Sequence, residues 1–291
     1  MRTLSFNRTE LHLVGGDHRG APATHASISG VQDKALLTIR GVKYIIKPNP
    51  SAPIPRFQNE VAVNECLTMD IAGKVFDIKV AEHELVKFAD GELAYLTKRF
   101  DYRGGIKIPQ EDFCQLSNRN RTTHGENYKY DGSYEECGEL LRKYSQAWRV
   151  ELGKLFRLIV FNYVFSNGDA HLKNFSLQAS SLGDDYVLTP AYDLLATSLH
   201  FPTESALALE LFKDGHYTEA YEARGFYSAP DFIELGGTFD LPPNKVRVEL
   251  ERFAQSAAKV EAQIAASALS LAAKREYLRR FRDRLHALAQ R

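Results

Sequence analysis

One short stretch of the chain has the residue types and spacing for phosphoryl chemistry. In Asn167-Gly168-Asp169-Ala170-His171-Leu172-Lys173-Asn174 a carboxylate precedes a carboxamide in the pattern D-x-x-x-x-N, directly after an apolar helical run. Moving a phosphoryl group onto a hydroxyl needs a carboxylate near the attacking oxygen and an oxygen ligand for Mg²⁺ a few ångström away. Asp169 and Asn174 can supply both from one loop. Taken alone the pattern is common, and a turn capped by Asp169 explains it about as well.

Further segments add to it. Pro190-Ala191-Tyr192-Asp193 brings a second carboxylate after a short hairpin pattern, where kinases carry a metal-binding aspartate. In isolation Asp193 could equally cap a helix through Leu194 and Leu195. Ser27-Ile28-Ser29-Gly30-Val31-Gln32-Asp33-Lys34 leads straight into a strand pattern. Its single glycine fails both the Walker and the dinucleotide patterns. Backbone N–H groups of such a loop can still cradle phosphates, with Lys34 adding a point charge. Lys47 ends the next strand, where a kinase places the lysine that grips the α- and β-phosphates. For either lysine alone, a solvated strand end is the ordinary explanation. The order of loop, strand lysine, D-x-x-x-x-N loop and second aspartate is the kinase order.

The elements that must position these residues read as β first and α later. Residues 34–40 and 42–47 flank Gly41 as a hairpin, and Pro48, Pro50, Pro53 and Pro55 then make a stiff loop. A helix is expected over 57–71, with Val63, Cys66, Leu67 and Ile71 as its apolar stripe and Gly73 marking its end. Strands are expected over 76–85 and 93–97, and a polar, mobile loop over 117–132. Leu152, Leu155, Phe156, Ile159, Val160, Tyr163 and Val164 recur at helical spacing as a buried helix. Short strands follow at 175–178 and 185–188, and residues 244–291 read as two amphipathic helices or one broken one. The fold class expected is α+β, with a β-rich lobe at 1–97, a mainly helical lobe at 98–291, and an active site between them.

Composition narrows the function. Lys plus Arg and Asp plus Glu number 37 each, so no strongly basic nucleic-acid binder is indicated. Arg275, Arg279, Arg280, Arg282 and Arg284 read as a charged helix face. Cys66, Cys114 and Cys137 lack the spacing of a disulfide framework or a cysteine zinc site and are expected near the core. His171 and His200 form no zinc-hydrolase pattern. No export signal or membrane-length apolar run is seen, which points to the cytoplasm.

The motifs resemble the HipA-like kinases. The resemblance rests on Ser-x-x-Gly-x-Gln-x-Lys in the loop, Tyr-Ile-Ile-Lys at Lys47 and Lys-Arg-Phe-Asp at 98–101. It continues with Ile-Pro-Gln-Glu-Asp-Phe-Cys-Gln at 108–115, Asn-Gly-Asp-Ala-His-Leu-Lys-Asn-Phe-Ser at 167–176 and Pro-Ala-Tyr-Asp-Leu-Leu at 190–195. Together the matches span about residues 25–200. The resemblance implies a fold related to protein kinases and phosphatidylinositol kinases, use of Mg²⁺ and ATP, and serine/threonine kinase activity in toxin–antitoxin systems that target aminoacyl-tRNA synthetases. By position Asp169 matches the catalytic base, and Asn174 and Asp193 match the metal ligands. Lys47 matches the ATP lysine, and Ser29, Gly30, Val31, Gln32, Asp33 and Lys34 match the phosphate loop. Lys98, Arg99 and Phe100 match the hinge beside adenine, while His171, Lys173, Asn174 and Tyr192 line the nucleotide site. Ser27 matches a serine whose autophosphorylation inactivates the kinase.

The chain departs from the longer enzymes in three ways. The kinase pattern begins at Ser27, so their extra N-terminal subdomain is expected to be missing. That resembles the compact HipT members of tripartite HipBST systems, where a separate small HipS-like protein supplies the piece beside a DNA-binding HipB-like antitoxin. Ser29 stands where the longer enzymes have a residue that cannot be phosphorylated, giving a Ser-Ile-Ser pair. Lys98 replaces a glutamate at the hinge. HipT-like members suggest tryptophanyl-tRNA synthetase as target. Phosphate on Ser27 or Ser29 would add roughly −2 charge to the loop that receives ATP phosphates and expel one or the other. A small-molecule phosphotransferase and a non-catalytic kinase-fold module remain as alternatives.

Overall fold

The computed structural model describes residues 1–13, 32–180 and 185–290. Ser27, Ser29, Gly30 and Val31 lie outside the described residues. Five strands, β1 (Arg2–Thr3), β2 (Ala35–Ile39), β3 (Val42–Pro48), β4 (His83–Lys87) and β5 (Leu93–Lys98), form a sheet in the order β1-β4-β5-β3-β2. The pairings are antiparallel except β1 with β4. The hairpin is as expected: Ile39 pairs with Val42, and Arg40 and Gly41 turn between them with φ of 49° and 80°. Two successive left-handed residues give the turn whose twist suits paired strands.

Alternate residues of a strand face opposite sides of the sheet. On β5, Ala94 and Leu96 join Ala35, Ile46 and Val86 in a small apolar cluster on one face. Tyr95 turns to the other face and joins the main core with helix α1 (Val61–Phe76). Lys47 pairs with Tyr95 across the sheet, so its side chain is also delivered to the α1 side.

Helix α1 runs past the stop expected at Gly73 and takes up Phe76, the first residue of an expected strand. Gly73 serves another purpose: a Cβ there would meet Val80 Cγ2 at 3.2 Å, so the glycine admits the returning chain. The helix ends at Asp77, whose φ is 52° and whose N–H returns to the Ala72 carbonyl. Phe76 is held in the last turn by stacking on Phe253 with ring centroids 4.5 Å apart. The strand expected from Phe76 therefore begins only at His83.

After the ribbon β6 (Tyr102–Arg103) and β7 (Ile106–Lys107), strand β8 (Gln110–Asp112) leads into the short helix α2 (Phe113–Leu116). The segment expected to be a mobile loop carries helix α3 (Arg121–His124), capped by Asn120, whose carboxamide oxygen accepts from the N–H groups of Thr122 and Thr123 at 2.9 and 3.2 Å. Helices α4 (Tyr134–Tyr144) and α5 (Trp148–Val164) follow, and the apolar face predicted for α5 is buried. Strands β9 (Ser176–Ala179) and β10 (Tyr186–Leu188) form the expected hairpin, extended by β8 into a three-stranded sheet. Helices α6 (Glu219–Arg224), α7 (Ala229–Thr238), α8 (Pro243–Gln255), α9 (Ala257–Ala266) and α10 (Leu271–Leu288) complete the chain. The last stretch thus holds three helices rather than two. One apolar cluster runs from α1 through α5 to α10, so the β-rich and helical parts share a core.

Candidate active site

The loop after α5 is pinned from several sides. Asn167 N–H returns to the Asn162 carbonyl at 2.9 Å, and its carboxamide donates to Asn162 Oδ1 at 2.9 Å and to the Asp193 carbonyl at 3.3 Å. Gly168 N–H donates to Thr197 Oγ1 at 2.8 Å. A Cβ on Gly168 would fall 2.2 Å from the Ser205 carbonyl oxygen, so only glycine lets the loop lie this close. Asp169 is thereby fixed, only 4% exposed, and its Oδ1 accepts a hydrogen bond from the Tyr130 hydroxyl.

His171 stands beside it, with Nε2 3.9 Å from Asp169 Oδ1 and its ring edge-on to Tyr130. Burial pushes the imidazole down to about 4, outweighing the attraction of Asp169, so the ring is neutral at pH 7. The distant His200 is engaged elsewhere, with Asn64 at 2.9 Å and the Arg56 carbonyl at 3.1 Å, and makes no metal pair with His171.

Asn174 and Asp193 meet although they come from separate segments. Asn174 Nδ2 lies 3.4 Å from Asp193 Oδ2, while Asn174 Oδ1 is buried and has no hydrogen-bond partner among the described residues. No helix begins at Asp193, so the cap explanation fails; its φ of 55° turns its carboxylate to Lys47. Lys47 Nζ bridges Asp193 and Glu65, the latter at 2.7 Å. Burial alone would lower the lysine, but the two carboxylates raise it well above its ordinary value, so it stays charged. Burial would raise Asp193, and the Lys47 charge and hydrogen bond instead hold it below the usual carboxylate range.

Lys47, Asn174 and Asp193 border a cleft of about 600 Å³, whereas Asp169 and Glu65 are not among its lining residues; Asp169 stands behind His171, which does line it. Lys34, Lys47, Asn174 and Asp193 line it, as do Lys98, Arg99, Phe100, His171, Lys173 and Tyr192. Several of these are already committed. Lys98 Nζ contacts both Glu82 oxygens at 3.0 and 3.1 Å, and Arg99 makes a two-pronged pair with Asp101. Lys173 Nζ is 2.6 Å from Asp112 Oδ2. The Tyr192 hydroxyl donates to the Lys173 carbonyl at 2.8 Å, and its ring lies 5.7 Å from that of Phe100. Gln32 and Asp33 do not line the cleft. Gln32 Nε2 donates to Glu65 Oε2 at 3.2 Å, and Asp33 binds Arg8 and Ser51, so their side chains serve the wall rather than the opening.

Sequence reasoning passed over Glu65 and Tyr130, and quoted Asn167 and Asp112 within motifs without giving either a role. Glu65 had a signal: a carboxylate inside an apolar helical run must find a buried cation. Chemically, Asn174 Oδ1 and the Asp193 carboxylate form a hard-oxygen pair suited to a divalent cation. The buried Lys47 ammonium touches this pair through Asp193, and Asp169 lies 3.9 Å from His171 of the cleft wall.

The family model of the HipA-like C-terminal domain matches residues 26–267. A candidate kinase of Sinorhizobium fredii, Y4mE, is 30% identical over 232 residues, 70% of this chain and 52% of that protein. A candidate kinase of Haemophilus influenzae is 29% identical over 248 residues, 76% of this chain and 69% of that protein. The serine/threonine-protein kinase toxin HipA of Shewanella oneidensis is 26% identical over 263 residues, 82% of this chain and 57% of that protein. The chain spans about half the length of Y4mE. Among solved structures, Shewanella oneidensis HipA, in its complex with HipB and operator DNA, superposes with a TM-score of 0.67 at 20% identity, covering 98% of this chain and 73% of that one. The Helicobacter pylori proinflammatory kinase CtkA superposes with a TM-score of 0.64 at 15% identity, covering 99% and 95%. Both share the two-part, kinase-like α+β fold. The extent of the family match settles the kinship: the chain belongs to the HipA-like C-terminal domain family.

Proposed function

We propose that this chain is a protein kinase that uses Mg²⁺ and ATP to phosphorylate serine or threonine hydroxyl groups. The convergence of Lys47, Asn174 and Asp193 on one cleft, with a buried amide oxygen of Asn174 lacking a partner among the described residues, carries the proposal. Asn174 and Asp193 would hold Mg²⁺, which would offset charge on the nucleotide phosphates. Lys47, kept charged and aimed by Glu65, grips phosphate oxygens. Asp169 accepts the proton of the target hydroxyl. Since Lys98 and Arg99 are held by Glu82 and Asp101, adenine is met by backbone groups and the Phe100–Tyr192 pair. In this scheme residues 1–97 grip the nucleotide and residues 98–291 supply base and metal ligands.

The finer reading is a cytoplasmic toxin of the compact HipT kind. It phosphorylates an aminoacyl-tRNA synthetase, with tryptophanyl-tRNA synthetase as first choice, and is silenced by phosphate on Ser27 or Ser29. It is bound by HipB-like and HipS-like antitoxins and reaches DNA through the former. The relative's complex with HipB and operator DNA supports the antitoxin part. Among the described residues no helix is long and apolar enough to cross a membrane.

The test is phosphate transfer from Mg-ATP, read by mass spectrometry on the chain itself and on added synthetase. Phosphoserine should appear on both, and Asp169→Ala should slow transfer by about 10²–10⁴ with the fold intact. Undiminished transfer in Asp169→Ala removes the assigned base, and phosphate found only on small metabolites makes the chain a small-molecule phosphotransferase. No ATP turnover at all would leave a binding module.

A further inference from the structure

We propose that Cys66, Asp70 and His83 form a binding site for a divalent transition metal of the Zn²⁺ type, outside the cleft. Cys66 and Asp70 stand one helical turn apart on α1, and His83 opens β4, which lies against that helix. One ligand atom from each residue, a sulfur, a carboxylate oxygen and a ring nitrogen, lies within 4.8 Å of the other two. Tetrahedral metal–ligand bonds of about 2.0–2.3 Å put ligand atoms roughly 3.3–3.8 Å apart, so the widest separation has to close by about 1 Å.

The histidine is prepared for this use. Its Nδ1 lies 2.8 Å from the Ala81 carbonyl, which makes Nδ1 a protonated nitrogen and points Nε2 at Asp70; a metal would take the Nε2 position in place of a proton. The side chain is 7% exposed, and Nε2 is buried without a hydrogen bond among the described residues; Asp70 Oδ1 stands off at 3.4 Å. The ring is also fixed in plane by stacking on Tyr95 with centroids 5.7 Å apart. Cys66 is a free, half-buried thiol.

The donor set selects the metal class. Thiolate and imidazole suit Zn²⁺ and its neighbours rather than Mg²⁺ or Ca²⁺. Thiolate, carboxylate and neutral imidazole sum to the charge that a divalent ion cancels, with water completing a tetrahedron. On binding, the thiol proton leaves to solvent as the metal–sulfur bond forms. Lys74 now contacts Asp70 Oδ1 at 2.9 Å, but its side chain is 61% exposed and free to swing out. Cys66 directly follows Glu65, so a bound ion would bolt the helix carrying the partner of Lys47 to the sheet carrying Lys47 itself.

The full chain, stripped with chelator, should be titrated with Co²⁺ as the spectroscopic probe. A cobalt–thiolate charge-transfer band should saturate at one equivalent and be displaced by Zn²⁺. It should vanish in Cys66→Ser, weaken at least about tenfold in affinity in His83→Gln, and survive Asp193→Asn, which removes no ligand atom of the site. Zn²⁺ should raise the thermal midpoint of the wild type and not that of Cys66→Ser, with circular dichroism confirming that each variant folds. Absence of the thiolate band in the wild type, or its persistence in Cys66→Ser, overturns the site and leaves His83 and Asp70 as an ion pair. A band lost in Asp193→Asn but kept in His83→Gln would overturn it too.

Discussion

Tyr130 donates its hydroxyl hydrogen to Asp169 Oδ1, the kind of contact a target hydroxyl must make with a general base. If Asp169 is the base proposed above, the tyrosine competes with substrate for one acceptor position. Tyr130→Phe keeps the ring against His171 and frees that position, so phosphorylation should speed up by about two- to tenfold, the worth of one ordinary hydrogen bond. Steady-state kinetics on the isolated chain decide it, and slower transfer would make Tyr130 a positioning residue instead. Lys47 gives a second residue-scale expectation. Lys47→Met leaves Glu65 buried without its cation and should cost about 3–5 kcal/mol in denaturant unfolding, most of it restored in Lys47→Met/Glu65→Leu. Equal losses in both variants would mean that the pair contributes by packing alone. The chain order of Lys47, Asp169, Asn174 and Asp193 was legible because each sits beside a recognisable element boundary. Tyr130 was not, since it lies in a polar segment whose only pattern is composition, and its partner is reached through space.

The loop after α5 shows how an element, more than any one side chain, sets the site. Asn167, Gly168 and Thr197 lock it, and Glu204 is packed beneath it. Glu204 is half-buried and close to Asp169, and burial first, then that charge, raises its carboxyl from 4.5 to about 7. A raised acid binds its proton more tightly in the folded chain than in the unfolded one. Its contribution to stability is therefore complete below about 4.5 and is lost as pH rises towards 7, by roughly 3 kcal/mol at most. Glu204→Gln should erase this slope, so the difference in unfolding free energy between wild type and variant should change across pH 4.5–7. A constant difference would show that Glu204 titrates like an exposed carboxylate. Element types were largely readable from periodicity, whereas the ends of α1 were not. Gly73 looks like a terminator in sequence, yet its role is to admit Val80, a contact that only the fold creates.

At the scale of the whole molecule, α1 decides whether the β-rich and helical parts behave as one body. It is buried nearly all round, packed by β4 and β5 on one side and by the C-terminal helices on the other. Phe76 is the joint, stacked on Phe253 and edge-on to Phe161 and Phe165. Because one apolar cluster crosses this joint, neither part can open without exposing surface belonging to the other. Unfolding should then be a single transition, coincident in far-ultraviolet circular dichroism and in the fluorescence of Trp148, the chain's one tryptophan. Phe76→Ala should lower stability by about 3–5 kcal/mol by leaving a cavity at the joint. If instead it splits the transition in two, with Trp148 reporting only the later step, the shared core is held together by that one ring, and the parts are separable domains.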